Sequence, residues 1–308
     1  MMARDHLHGV LAVLFASVVW GTTGTAATLA PEVSAAAIGA AAMGVGGLMQ
    51  AAIAGRGLAR AWPQLRAHWG LLLIGGLSVA IYPLAFYGSM RLAGVTIGTV
   101  ITLGSAPLLS ALLEYVIDGA RLSLRWLMGA VIGLAGMVLL CLAEMNGHGT
   151  GGQVLPGTAL GLVGGLTYAA YSWAARGLMM GGIRSRTAMG AVFGIGGLLL
   201  MPVLIATGAP FLQSAVNLSV GVYMAVVPMF LGYVAFGYGL ARVSASTATT
   251  ITLTEPVVAA MLAIVIVGER LQVMGWLGVG LILACLVVIT MPRRRAPRFT
   301  SPEPASQP

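Results

Sequence analysis

The chain has 308 residues, of which 58% are apolar and only 8% are charged, and its mean hydropathy is +0.96. Soluble domains carry about 25% charged residues, so this composition excludes a soluble globular protein and predicts a chain that faces lipid. The net charge of +8 reflects sixteen arginines and no lysine. The arginines lie in short clusters between apolar runs, which is typical of a polytopic membrane protein and argues against nucleic-acid binding.

Ten segments are long and apolar enough to be membrane-spanning helices, which need about 20 residues each. In chain order, spans 1 to 10 are 7–30, 33–53, 69–90, 95–117, 124–143, 157–177, 187–207, 219–240, 245–267 and 271–291. We interpret the first as a retained helix and not as a cleaved signal peptide. The sequence therefore predicts an all-α polytopic membrane protein with a short N-terminus at 1–6 and a disordered basic tail at 292–308.

The arginines lie on alternate connectors between the spans. One side holds fourteen: Arg4, Arg56, Arg60, Arg66, Arg121, Arg125, Arg176, Arg184, Arg186, Arg242, Arg293, Arg294, Arg295 and Arg298. The opposite side holds only Arg91 and Arg270. Because basic residues accumulate on the cytoplasmic side of membrane proteins, we expect both termini to be cytoplasmic.

The fourth and ninth spans belong to an internal repeat. The matched positions, 149 residues apart, are Pro107 and Pro256, Gly119 and Gly268, and Arg121 and Arg270. The chain thus resembles two five-helix units, at 7–143 and 157–291, joined by an external loop at 144–156. Because five is odd, the second unit would cross the membrane inverted. Inverted-topology repeats are typical of secondary transporters, and a purely structural duplication is the alternative.

Several short motifs point to one family. They are Trp20-Gly21 in span 1, the sequences GARL at 119–122 and GERL at 268–271, and the helix starts around Trp126 and Trp276. These features resemble the EamA-type repeat of the drug/metabolite transporter superfamily, over about residues 7–291. Within it the chain is most similar to bacterial exporters of aromatic amino acids. The first copy departs from the pattern with Ala120. The resemblance implies ten transmembrane helices as a 5+5 inverted repeat, alternating access and a bacterial inner (cytoplasmic) membrane location.

Acidic residues within spans are functional candidates because they are costly there. Glu255, before Pro256 in span 9, is the acid that lies well inside a span. Its carboxyl either caps a backbone group that Pro256 leaves free, or takes part in substrate-amine recognition or proton coupling. Glu114 lies near the cytoplasmic end of span 4, from where we expect its side chain to reach the interface.

Aromatic and polar residues recur at helical spacing on a few spans, which places each pair on one helix face. The candidate substrate-binding residues are Trp20, Thr23, Tyr82, Phe86, Thr102, Ser105, Tyr168, Tyr171, Met229, Tyr233 and Glu255. The candidate gating prolines are Pro83, Pro107, Pro228 and Pro256, with static packing kinks as the alternative. Trp62, Trp69, Trp126 and Trp276 instead fit an interfacial belt. GxxxG motifs at 129–133, 161–165 and 190–194 indicate helix packing or dimerisation, so the oligomeric state stays open between monomer and dimer.

The chemistry of an enzyme is not visible in the sequence. The motifs HExxH, CxxC, GxSxG and the P-loop do not occur, so we expect no enzyme, cofactor or metal. No arginine lies well inside a span, which argues against a phosphorylated substrate. We expect a secondary transporter that exports small neutral or zwitterionic organic solutes, with aromatic or large apolar amino acids as substrates and broad-specificity drug/metabolite export as the alternative. A membrane-embedded enzyme or a passive channel is less favoured.

Overall fold

The structure, a computed structural model of the chain, describes residues 2–93, 95–145, 153–262, 264–265 and 273–290. These residues are almost entirely helical, and none of them forms a strand. The α-helices are α1 Met2–Trp20, α2 Thr23–Thr28, α3 Ala35–Gly39, α4 Gly46–Ala67, α5 Trp69–Ala93, α6 Val95–Asp118, α7 Leu124–Met145, α8 Val154–Met180, α9 Ser185–Thr207, α10 Ala215–Met224, α11 Tyr233–Leu240, α12 Ala245–Ile251, α13 Glu255–Leu262 and α14 Val273–Thr290.

Membrane-spanning helices dominate the fold, as the composition predicts. In the described part of the chain, six helical stretches are long and apolar enough to cross a membrane: Arg4–Thr28, Ala35–Ala67, Trp69–Ala93, Gly98–Asp118, Ser185–Thr207 and Ala215–Leu240. Leu124–Leu139 and Val273–Ile289 are shorter apolar helices. The prediction of an all-helical membrane protein is therefore confirmed. Helices also lie over spans 5, 6, 9 and 10, but the count of ten spans and their inverted arrangement stay predictions.

Three of the irregular helical segments in the described part of the chain help to position the candidate site. Ala40–Val45 and Ala225–Gly232 are π-helical, and Thr252–Thr254 is a 3-10 turn immediately before α13. The second π-turn contains Pro228, whose carbonyl accepts a hydrogen bond from Trp20 Nε1 at 2.8 Å. Irregular backbone at membrane depth is tolerated where it is buried in protein or lines a cavity. Pro83 and Pro107, by contrast, lie within continuous α-helices.

Glycines allow the helices to approach closely. A Cβ on Gly47 of α4 would lie 2.3 Å from the carbonyl oxygen of Phe193 in α9, and one on Gly190 would lie 2.4 Å from Ala54 Cβ. The glycines of all three GxxxG motifs contact other helices of the same chain in this way. Small residues at such crossings let van der Waals packing hold membrane helices together.

Candidate substrate cavity

A small cavity lies where the irregular helical segments meet. Nine of the residues singled out in the sequence line it: Trp20, Thr23, Tyr82, Pro83, Phe86, Tyr168, Met229, Tyr233 and Glu255. Gly39, Ala42, Met43 and Tyr87 complete the lining. The volume is about 20 Å³, which is room for about one water molecule. An organic solute therefore requires the lining side chains to move apart.

Aromatic rings form most of the wall. The centroid of Trp20 lies 4.6 Å from that of Tyr233, and Tyr82 lies 5.7 Å from Phe86 in a stacked arrangement and 5.5 Å from Tyr168. These separations are typical of favourable aromatic pairs. In this conformation the rings contact one another, so an aromatic ligand would replace ring–ring contacts with contacts of the same kind.

Most polar atoms of the wall are engaged within the protein. Tyr168 donates its hydroxyl to Thr252 Oγ1 at 3.0 Å, and the hydroxyls of Tyr171 and Tyr233 are 2.7 Å apart. Thr23 donates its hydroxyl to the carbonyl of Trp20 at 2.7 Å. These bonds fix the rings in place and leave few groups for a ligand.

Three polar groups of the lining remain available. The carboxyl of Glu255 and the hydroxyls of Tyr82 and Tyr87 have no hydrogen bond or ion pair within the described residues. Among the described residues, Glu255 makes no bond to the backbone around Pro256, which is the bond that the capping alternative requires. The described residues of the lining include no arginine, lysine or histidine. Its charge is therefore complementary to a ligand ammonium group.

Some predicted residues lie outside the lining. Thr102 and Ser105 of α6 pack against α8, where a Cβ on Gly164 would lie 2.9 Å from Thr102 Cγ2 and one on Gly165 would lie 2.0 Å from Ser105 Oγ. The face of α6 that carries Thr102 and Ser105, which their spacing predicted to face a ligand, is therefore packed against α8. Tyr171 is fully buried behind the wall, and Pro107, Pro228 and Pro256 do not line the cavity.

Sequence reasoning missed Tyr87 and the residues of the first π-turn. A Cβ on Gly39 would lie 2.9 Å from Tyr87 Cδ2, so the glycine makes the space in which this ring stands. Tyr87 is four residues beyond Pro83 and thus shares its face, a signal that could have identified it. Ala42 and Met43 belong to an apolar stretch without any such signal.

The expectation that Glu114 reaches the interface is wrong. Its side chain is only 6% exposed, and it accepts hydrogen bonds from the backbone N–H of Ala245 at 2.7 Å and from Ser246 Oγ at 2.5 Å. The N-terminus of α12 leaves N–H groups without helical partners and carries partial positive charge. A carboxylate from α6 therefore holds the start of α12.

Two neighbouring contacts join the arginine-rich ends of the helices. Arg176 of α8 donates to the carbonyl of Leu240 at 2.6 Å and to that of Val243. Trp173 of α8 donates to Asp118 of α6 at 3.0 Å. Together with Glu114, these contacts form what we call the arginine-side closure, which ties α6, α8, α11 and α12 together beneath the cavity.

No metal site is visible among the residues that the structure describes, because no three His, Cys, Asp or Glu side chains come together there.

Two known proteins are similar to this chain in sequence, and one solved structure is similar in fold. An uncharacterized transporter of Bacillus subtilis is 31% identical over 291 residues, covering 92% of this chain and 94% of the relative. A probable terminal-alkyne amino-acid exporter of Streptantibioticus cattleyicolor is 26% identical, covering 90% of this chain and 95% of the relative. A solved crystal structure shares the fold, with a TM-score of 0.74, 20% identity and coverage of 91% of this chain and 95% of that one.

The EamA-like transporter family matches the chain twice, at residues 7–142 and 155–291. The resemblance drawn from Trp20-Gly21 and from the GARL and GERL motifs is thereby confirmed. The two matches cover most of the sequence. The chain belongs to the EamA-like transporter family.

Proposed function

We propose that this protein is a secondary transporter that exports small zwitterionic solutes, with aromatic or large apolar amino acids as its substrates. Glu255 carries the proposal. It presents an unpaired carboxyl to an aromatic-lined cavity, and no cationic side chain is among the described residues that line this cavity. A buried carboxylate is costly without a counter-charge, and the ammonium group of an amino acid supplies one.

The rest of the cavity suits an amino acid with an aromatic side chain. Trp20, Tyr82, Phe86 and Tyr168 provide rings that pair favourably with another ring. The free hydroxyls of Tyr82 and Tyr87 are neutral donors for the substrate carboxylate. The amino-acid exporter among the relatives supports this substrate class.

Alternating access between two inverted halves is the transport mode that we propose. The two family matches, at 7–142 and 155–291, support two five-helix units over ten spans. The small cavity volume and the arginine-side closure indicate a conformation closed beneath the site. Transport would then require the closure to open on one side and the rings to separate on the other. The arginine distribution supports cytoplasmic termini in a bacterial inner membrane.

Broad-specificity export of lipophilic cations is the second candidate. An acidic residue without a basic neighbour, surrounded by aromatic rings, also suits a cationic drug, because rings attract cations through their faces. The two candidates differ in one respect, namely whether the substrate carboxylate contributes to binding.

Counterflow in proteoliposomes separates these possibilities. We expect saturable exchange of phenylalanine, and weaker exchange of phenethylamine, which lacks the carboxylate. Preference for the amine would favour the drug exporter. Flux of phenylalanine without saturation would indicate a channel, and conversion of phenylalanine without flux would indicate an enzyme. Trp276→Ala is the control, because this exposed belt residue lies outside the cavity lining.

A further inference from the structure

A second, larger depression lies at the arginine-rich ends of the helices. It is formed by the C-terminal part of α4 and by the turn that leads into α9, and its volume is about 750 Å³. Four arginines line it, Arg56 and Arg60 from α4 and Arg184 and Arg186 from the start of α9. We call this depression the basic groove. No acidic side chain is among the described residues of its lining.

The four arginines lack partners within the protein. Among the described residues, none of them makes a hydrogen bond or an ion pair. Other arginines of the same face are engaged. Arg176 is bonded to two carbonyls, and Arg242 is bonded to the carbonyl of Tyr238 and stacked on its ring at 3.4 Å. The basic groove therefore concentrates positive charge that nothing in the described part of the chain neutralises.

The groove lies at the depth of lipid headgroups. The helical stretch Ala35–Ala67 has 33 residues, which corresponds to about 50 Å of helix, whereas the hydrocarbon core is about 30 Å thick. The segment from Arg56 onward therefore extends into the interface. Trp62 and Trp69, which are 60% and 65% exposed, flank it, and exposed tryptophans typically lie at the headgroup level.

The groove also bridges two packed helices. Arg56 and Arg60 are four residues apart and share one face of α4. Arg184 occupies the N-cap position of α9 and makes no capping hydrogen bond with its side chain, and the helix dipole favours an anion at this end. A Cβ on Gly57 would lie 2.5 Å from Thr187 Oγ1, so the two helices touch at the groove floor. One anion there can be contacted from both helices at once.

We propose that the basic groove binds the phosphate headgroup of an anionic phospholipid, which joins α4 to α9. Arginine forks match phosphate oxygens in geometry and charge, and basic pockets between membrane helices on the cytoplasmic side bind such headgroups. Because α4 lies in the first half of the chain and α9 in the second, the bound lipid stabilises the contact between the halves.

Binding to the purified full-length protein tests this proposal. The protein is placed in phosphatidylcholine nanodiscs with and without phosphatidylglycerol, and lipid retention is measured by native mass spectrometry. We expect retention of phosphatidylglycerol and not of phosphatidylcholine. Each arginine near an anionic surface contributes about five-fold to affinity, so Arg56→Gln/Arg60→Gln and Arg184→Gln/Arg186→Gln should each weaken retention by about twenty-five-fold.

The matched control removes the same charge from the same face. Arg4→Gln/Arg121→Gln lies outside the groove lining and should retain phosphatidylglycerol as the unmodified protein does. Equal losses in the control and groove variants would overturn the proposal, because the effect would be one of general surface charge. Displacement of the lipid by inorganic phosphate at equal concentration would also overturn it, since the groove would then be a site for a soluble anion. Because no transport is measured, the result does not depend on the proposed function.

Discussion

Replacing Glu114 tests how the start of α12 is held. In Glu114→Leu, the backbone N–H of Ala245 loses its acceptor at 2.7 Å and stays buried. A buried donor without a partner costs about 1–3 kcal/mol, and loss of a negative charge at a helix N-terminus costs about 0.3–1 kcal/mol more. The hydroxyl of Ser246 can turn to Ser244 Oγ, already 3.0 Å away, so it adds little. The expected destabilisation is therefore about 1–4 kcal/mol.

A conservative variant separates the effect of the charge from the effect of the acceptor atom. Glu114→Gln keeps one carbonyl oxygen for the N–H of Ala245, but it loses the charge and puts an NH2 donor where the second oxygen accepts from Ser246 Oγ. Because Ser246 can turn to Ser244 Oγ, we expect a smaller loss of about 1 kcal/mol. Asp118→Asn is the control. This acid is one helical turn further along α6, and its bond to Trp173 is exposed, so it should change stability by less than about 1 kcal/mol.

Thermal unfolding in detergent, followed by tryptophan fluorescence, provides the assay. The unfolding temperature is expected to be highest for the wild type and to fall in the order Asp118→Asn, Glu114→Gln and Glu114→Leu. An unfolding temperature of Glu114→Leu equal to that of the wild type would refute the reasoning, because the buried N–H of Ala245 would then have no need of the carboxylate.

Three further predictions concern the cavity, the packing and the orientation. Tyr82→Ala removes ring pairs worth about 0.5–1.5 kcal/mol each and should weaken phenylalanine transport several-fold, whereas Trp276→Ala should not. Gly47→Ala should destabilise the protein by about 1–3 kcal/mol, because its Cβ would lie 2.3 Å from a carbonyl of α9. Gly55→Ala in the same helix, with no atom within 4 Å of the new Cβ, should be neutral or stabilising in the same unfolding assay. Reporter fusions after residues 60 and 182 should report the cytoplasm, and those after 31 and 212 the exterior; the same side for 31 and 60 would contradict this topology.

The sequence predicts the helical fold well because apolar run length is a direct consequence of membrane thickness. It predicts much of the cavity wall for a similar reason. Trp20, Tyr82 and Tyr233 are large polar-tipped rings far from span ends, where a belt role is excluded, and all three line the cavity.

The remaining features depend on contacts between distant residues. Glu114 accepts hydrogen bonds at the start of α12 because that segment, 131 residues further along the chain, lies beside it. Thr102 and Ser105 pack against Gly164 and Gly165 at a helix crossing. Tyr87 packs against Gly39, which has no side chain to block the ring. Contacts of this kind join residues that are far apart in the chain, so they leave no periodic pattern in a single sequence.

The central claim is that the carboxyl of Glu255 receives the amino group of the substrate. Counterflow of phenylalanine is compared with that of 3-phenylpropionate, which lacks the amino group, in the wild type and in Glu255→Gln. A charge-assisted bond contributes about 1.5–3 kcal/mol, so the wild type should prefer phenylalanine by about ten- to one-hundred-fold, and Glu255→Gln should lose most of that preference while still inserting and folding. An unchanged preference in Glu255→Gln would contradict the account, because the amino group would then be recognised elsewhere.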